Sequence, residues 1–311
     1  MKKISIVTPC YNEFENIDKC YSAIKKLFND KLKKYSYEHI FCDNHSSDGT
    51  QKKLRLIAKK DKKVKVILNA RNFGEQKSNL NGIINTTGDG VLLYFPADLQ
   101  DPPKLIVDFI KYWEQGYDLV YGSRKKRKEN FILSLCRKLF YQFVNIGSNN
   151  VIPSDISDYQ FVDKKIINEI KKIEDMTPFL RSLPFFITDN YKKLEYEMEK
   201  RQHGSSKFSL LSLIDYALNG LLNISYTPFR VILFIGFIIS LFSIFLSIFW
   251  LVQFLYYPED VVKGIPLIIT AMFLFFGIQT FLMGIIGEYL VSIHKQVKRK
   301  ETVIEKEKIN F

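Results

Sequence analysis

The chain has 311 residues, 47% of them hydrophobic, with 45 Lys and Arg against 33 Asp and Glu and a formal net charge of +12. That length suits one large domain with an appendage, or two domains. The four cysteines, Cys10, Cys20, Cys42 and Cys136, lack paired metal spacing and the four histidines are scattered, which excludes a zinc site and leaves reduced thiols packed as small hydrophobes.

Over the first 125 or so residues, short apolar runs alternate with amphipathic ones. "ISIVTP", "HIFCD", "VKVIL", "VLLYF" and "DLVYG" read as buried strands, while "NIDKCYSAIKKLF" and "PPKLIVDFIKYWEQ" carry helical spacing. Strict alternation of strand and helix implies right-handed crossovers and a mainly parallel sheet, with ligands beyond the carboxyl ends of its strands. The polar motifs fall there: "PCYNE", "DNHSSDGT", "NARNFGEQ" and "PADLQDPP" follow the first four strands in turn. Within them Asp48, ahead of "GT", reads as a helix cap, and Asp101 before two prolines reads as the N-cap of the next helix. From Asn130 to about Ile173 the pattern turns helical, and a polar stretch follows to "RQHGSSKFS".

Two later runs change the class of the protein. Residues 231–257 hold 27 residues without a charge and 264–287 another 24, each enough for a transmembrane helix at about 20 residues per span. The amphipathic segment before them is expected along the membrane surface. Arg230 precedes the first run and Lys295, Lys298, Arg299 and Lys300 follow the second, so both ends are expected in the cytoplasm. "MKKISIVTP" is too short for a cleavable signal. Beside a bilayer, the basic block Arg124 to Lys128 is expected to meet anionic headgroups or a lipid phosphate; nucleic acid is not an expected partner.

"SIVTPCYNE", "DNHSSDGT", "RNFGEQ", "ADLQDPP", "YGSR" and "HGSSKFS", in this order and followed by two apolar spans, resemble the family 2 inverting glycosyltransferases of GT-A fold, of the polyprenyl-phosphate type. The resemblance implies a nucleotide sugar as donor and a lipid phosphate as acceptor. It assigns Asp43 to the base, with Pro9, Tyr11 and Glu13 lining the nucleotide pocket and Gln76, Arg201 and Lys207 in the nucleotide-sugar set. The family's Asp-x-Asp-x-Gln metal motif aligns Asp98 with its second acid and Gln100 with its amide, while Pro96 replaces the first acid. Asp98 and Gln100 are thereby the metal ligands for Mg²⁺ or Mn²⁺, and Asp98 and Asp158 the catalytic carboxylates. Arg124 and Arg137 match positions that hold the acceptor phosphate. The motif around Asp158 ordinarily continues with an aromatic residue and arginine, and here Gln160 stands in place of that arginine.

The resulting expectation is a GT-A domain over 1–207, a juxtamembrane segment over 208–230, transmembrane helices at 231–257 and 264–290, and a basic cytoplasmic tail over 291–311. It describes a multi-pass protein of the plasma membrane with a cytoplasmic catalytic domain, open to homo-oligomers, that moves a sugar from a uridine diphosphate donor to polyprenyl phosphate. Two readings compete with it: transfer to a growing glycan or lipid-linked saccharide, and a silent partner that binds a nucleotide sugar or scaffolds a membrane complex, which Pro96 keeps open and the retention of Asp43, Asp98, Gln100, Arg124 and Arg137 argues against.

Overall fold

The computed structural model describes residues 1–124, 153, 156–173, 179–199, 234, 238, 245, 256, 265–297 and 303–311. Strands β1 (Lys3–Cys10), β2 (Ser36–Asp43), β3 (Val64–Asn69) and β4 (Gly90–Leu92) alternate with helices α1 (Ile17–Asp30), α2 (Thr50–Lys60) and α3 (Glu75–Ile84). Next come α4 (Leu105–Glu114), β5 (Leu119–Arg124), β6 (Ile156–Asp163), α5 (Lys164–Ile170), α6 (Leu183–Ile187), β7 (Tyr191–Tyr196), α7 (Ile265–Val297) and β8 (Glu305–Ile309). One eight-stranded sheet runs in the order β7-β5-β6-β4-β1-β2-β3-β8. The consecutive strands β4, β1, β2 and β3 are parallel, as the alternating pattern requires.

The two faces are sorted residue by residue. Along β1 and β2, Ile6 and Phe41 enter one core while Val7, Ile40 and Cys42 enter the other, the period of two expected of a strand buried on both sides. The first core receives α1 through Ile17, Cys20, Ile24, Leu27 and Phe28, and α4 through Ile106, Phe109, Ile110 and Trp113. The second receives α3, α5 and α6. Close seating of α3 depends on Gly82, where a Cβ would lie 2.4 Å from Cys42 Sγ and 2.6 Å from Val7 Cγ1. Cys10, Cys20 and Cys42 are free and buried. His39 is buried with Thr8 as its partner at 2.8 Å, and burial pushes its pKa down to about 3, so it stays neutral.

Three sequence expectations need correction. The helical reading of Asn130 to Ile173 fails at 156–163, which form β6 between β4 and β5. This strand is antiparallel to both neighbours and buried along nearly all its length, so its apolar run serves a sheet interior rather than one helix face. The fourth strand, Gly90–Leu92, is shorter than "VLLYF", although Leu93 N still donates to the Gln160 carbonyl and Phe95 N to the Val7 carbonyl before the chain turns at Pro96. Residues 291–311 are not simply a basic tail. Helix α7 continues to Val297, and β8 pairs antiparallel with β3 to complete the sheet edge. Arg55 holds Glu307 through Nε at 3.0 Å and Nη2 at 2.7 Å, and Asn310 Nδ2 donates to the carbonyls of Ala58 and Val64.

Counting only the described side chains, no helix is long and apolar enough to cross a membrane. Helix α7 has 33 residues, many of whose side chains lie outside the described set, as does nearly all of the first apolar run.

Candidate active site

The carboxyl ends of β1, β2, β4, β5 and β7 and the amino end of β6 converge on one edge of the sheet, because β6 runs against β4 and β5. At its nucleotide side, Pro9 is buried and lies across from Cys42, while Cys10 pairs with Asp43. Asp43 is fully buried; its Oδ2 accepts from Ser46 N at 3.0 Å and Gln51 Nε2 at 2.8 Å, and its Oδ1 has no partner among the described residues. Tyr11 is exposed at the end of β1. Glu13 accepts from Asn16 Nδ2 at 2.6 Å, and its N–H donates to Thr50 Oγ1, so it braces the start of α1. Gln76 lies in the first turn of α3. Asp48 accepts from Thr50 N and Oγ1 and from Phe14 N, but the N-cap of α2 is Gly49, so Asp48 sits one residue ahead of the cap position read from the sequence and ties the helix start to the β1–α1 loop.

After β4 the chain turns within Pro96–Leu99, with Leu99 N donating to the Pro96 carbonyl at 3.3 Å. Leu99 has φ 57°, a left-handed conformation that costs a bulky residue about 1–3 kcal/mol. Asp98 and Gln100 flank it, half-buried, with Gln100 N donating to Asp98 Oδ1 at 3.2 Å. A carboxylate and an amide oxygen are hard donors suited to Mg²⁺ or Mn²⁺. Pro96 contributes no side-chain ligand, and no group of three His, Cys, Asp or Glu among the described residues forms a complete metal cage. The residues therefore fit an ion held largely by water and a diphosphate, not one enclosed by protein.

Asp101 is not the N-cap of α4. That helix begins at Leu105 with Lys104 at the cap and no side-chain cap bond. The Asp101 carboxylate is instead buried, accepting from Tyr196 Oη at 2.5 Å and facing Arg124 Nη2 at 3.4 Å, while Arg124 Nε donates to Tyr196 Oη at 3.2 Å. Burial raises the Asp101 pKa, against the opposing pull of Arg124 and Tyr196. Arg124, 28% exposed, is thus aimed by two buried partners. Parallel pairing of β7 with β5 sets Tyr196 opposite Arg124.

Asp158, near the start of β6, is gripped by Arg181, whose Nε and Nη2 reach its two carboxylate oxygens. Position 160 carries no guanidinium, and the one that reaches Asp158 comes from position 181. The Gln160 amide donates to the Arg181 carbonyl at 2.8 Å and to the Ser157 carbonyl at 2.9 Å. Sequence reasoning missed Arg181 and Tyr196 and gave Asp101 the wrong role, since each partner lies 23 or more positions away along the chain. Arg137, Arg201 and Lys207 lie outside the described residues.

The model of Glycosyl transferase family 2 matches residues 5–170. The chain is 31% identical to the uncharacterized glycosyltransferase YkcC of Bacillus subtilis, covering 96% of this chain and 92% of that one. It is 28% identical to the bactoprenol glucosyl transferase of Shigella phage SfX, covering 96% and 97%. Among solved structures, glucosyl-3-phosphoglycerate synthase from Mycobacterium tuberculosis, in complex with Mn²⁺, uridine diphosphate and glucosyl-3-phosphoglycerate, superposes with a TM-score of 0.51. That match has 17% identity and covers 71% of this chain and 78% of the other. The likeness identifies the sheet domain as a GT-A fold.

Proposed function

The chain belongs to glycosyl transferase family 2, and on that premise we propose that it moves a sugar, with inversion, from a uridine diphosphate donor to polyprenyl phosphate at the cytoplasmic face of the plasma membrane. The observation that carries this reading is its match over 96% of its length to a bactoprenol glucosyl transferase, taken with an arginine fixed at the strand-end edge. A lipid phosphate is already anionic and attacks the anomeric carbon without a strong base. As the new bond forms, the bond to the diphosphate breaks, and the site must supply oriented positive charge at both phosphates. Arg124, held by Asp101 and Tyr196, suits the acceptor phosphate, and Arg137 is assigned beside it.

The unpartnered Oδ1 of Asp43 suits a donor on the base of the nucleotide. Uridine diphosphate and Mn²⁺ in the structural relative support that donor class and a divalent ion. When bound at Asp98 and Gln100, the ion neutralises charge on the leaving diphosphate. Asp158, at the same edge of the sheet, is assigned to the donor sugar, and Arg201 and Lys207 are assigned to the diphosphate.

Membrane anchoring is part of the proposal. Helix α7 covers nearly all of the second apolar run; at about 1.5 Å per residue its 33 residues exceed a hydrocarbon core of about 30 Å. Many of its described apolar side chains, among them Ile268, Phe276, Met283 and Leu290, are exposed, as lipid-facing residues would be, while Ile278, Leu282 and Ile285 are half-buried and Tyr289 is buried. Since β8 pairs with β3, the segment after α7 must share a compartment with the sheet, which requires an even number of crossings between them. The two spans at 231–257 and 264–290 meet that condition.

The test incubates the full-length protein in lipid nanodiscs with undecaprenyl phosphate and a panel of radiolabelled nucleotide sugars. A labelled lipid product that disappears in excess chelator and in Asp98→Ala is expected. No labelled lipid from any donor would refute the acceptor reading, and full transfer in chelator would refute the metal assignment.

A further inference from the structure

Strand β6 holds Arg181 at two points. Asp158 accepts from Nε and Nη2 along one edge of its guanidinium, and Gln160, two residues along the same strand, donates to its main-chain carbonyl through the side-chain amide. A planar fork on a carboxylate fixes direction as well as distance, which a single point charge does not. Neither partner is sealed in the core, since the Arg181 side chain is 20% exposed and that of Asp158 27%.

The surroundings indicate more than a structural ion pair. Asp158 and Arg181 line a cavity of ≈ 10 Å³ together with Asn79, Tyr94, Gln160, Leu93 and Leu180, room for about one water-sized group. Asn79 Oδ1 and Gln160 Oε1 are buried and have no partner among the described residues. Buried acceptors are nearly always satisfied in folded proteins, so these two oxygens leave a place for one small hydrogen-bond donor in an otherwise largely apolar recess beside the pair.

We propose that Arg181 is a positioning residue for sugar transfer: it holds the Asp158 carboxylate in one orientation toward the donor sugar, while Gln160 holds Arg181. This rests on the reading of the sheet edge as the transfer site. Arg181 acts through Asp158 and makes no contact with the diphosphate, so its loss slows turnover without weakening donor binding.

The experiment measures kcat for lipid product and donor affinity by titration, using the full-length protein in nanodiscs, for wild type, Arg181→Lys, Arg181→Ala and Asp158→Ala. Loss of orientation is expected to lower kcat about 100-fold in Arg181→Ala and about tenfold in Arg181→Lys, which keeps the charge but not the fork, with donor Kd within about twofold of wild type. Millimolar guanidinium is expected to restore part of the Arg181→Ala rate by filling the vacated space, and to do nothing for Asp158→Ala. A role in folding alone would give no such rescue, and Arg181→Lys, with nearly the same volume, reports even where the alanine variant fails to fold. Unchanged kcat in both Arg181 variants would overturn the proposal, as would a donor Kd that weakens in step with kcat, since that would put Arg181 on the diphosphate. A wild-type protein that transfers no sugar from any donor would remove the transfer reading itself, and this inference with it.

Discussion

Replacing Tyr196 by Phe removes one hydroxyl from the triad that aims Arg124. In the native arrangement that hydroxyl donates to Asp101 at 2.5 Å, within the range of a charge-assisted O–H···O⁻ bond, and accepts from Arg124 Nε at 3.2 Å. Asp101 is 1% exposed, so water cannot replace the lost donor. What remains is a single Arg124 contact at 3.4 Å. A hydrogen bond to a charged group contributes about 1.5–3 kcal/mol, and partial exposure of Arg124 argues for the middle of that range, roughly 2 kcal/mol. In a domain of this size such a loss lowers Tm by about 4–8 °C.

The pH dependence fixes the sign. Burial raises the folded-state pKa of Asp101 above its usual value of 3.8, so the folded protein binds this proton more tightly than the unfolded chain. Stability contributed by that proton is therefore lost as pH rises through the window between the two values. Tyr196 bonds the ionised form and opposes the loss. The cost of Tyr196→Phe should therefore be smaller at a pH below that window, where Asp101 is protonated, than at a pH above it, where the carboxylate is ionised. Thermal unfolding of wild type, Tyr196→Phe, Asp101→Asn and the double variant, in detergent at both pH values, measures this. Additive single effects at the higher pH, or a penalty that is the same at both, would refute the triad as a coupled unit.

Glu38 offers a second test at the opposite end of the sheet. Burial would raise its pKa, but bonds from Lys3, Ser5, Lys65 and Thr87 bring it down from 4.5 to about 2, equivalent to about 3 kcal/mol at neutral pH. That stability should be present above about pH 4.5 and be lost as pH falls toward 2, and a pH series of unfolding should show the acid-side loss shrink in Glu38→Gln. Gly82→Ala forces a methyl against Cys42 and Val7 and should destabilise by about 1–3 kcal/mol; a neutral result in denaturant melts would mean α3 is not seated as described. Deleting residues 304–311 exposes β3 as a sheet edge and should lower Tm and increase aggregation on size-exclusion chromatography, whereas an unchanged profile would show that β8 adds nothing to the sheet.

The central strands and the two-sided core were legible in the sequence because hydrophobic periodicity is local. Ile6 beside Val7 and Ile40 beside Phe41 carry within adjacent residues the instruction to bury both faces. The alternation of strands and helices then implied a parallel sheet, and with it the edge at which Asp43, Asp98, Gln100 and Arg124 gather. Only the tertiary structure decided which charges meet at that edge. Nothing near Asp101 distinguishes a helix cap from a buried counterion; its partner Tyr196 lies 95 positions along the chain and arrives by parallel pairing of β7 with β5. Arg181 reaches Asp158 across 23 positions, β6 enters the sheet antiparallel from a stretch that read as helical, and β8 returns from beyond α7 to close the far edge. Each of these depends on the order of strands in the sheet, and a contact between distant segments is set by that order rather than by the residues on either side of it.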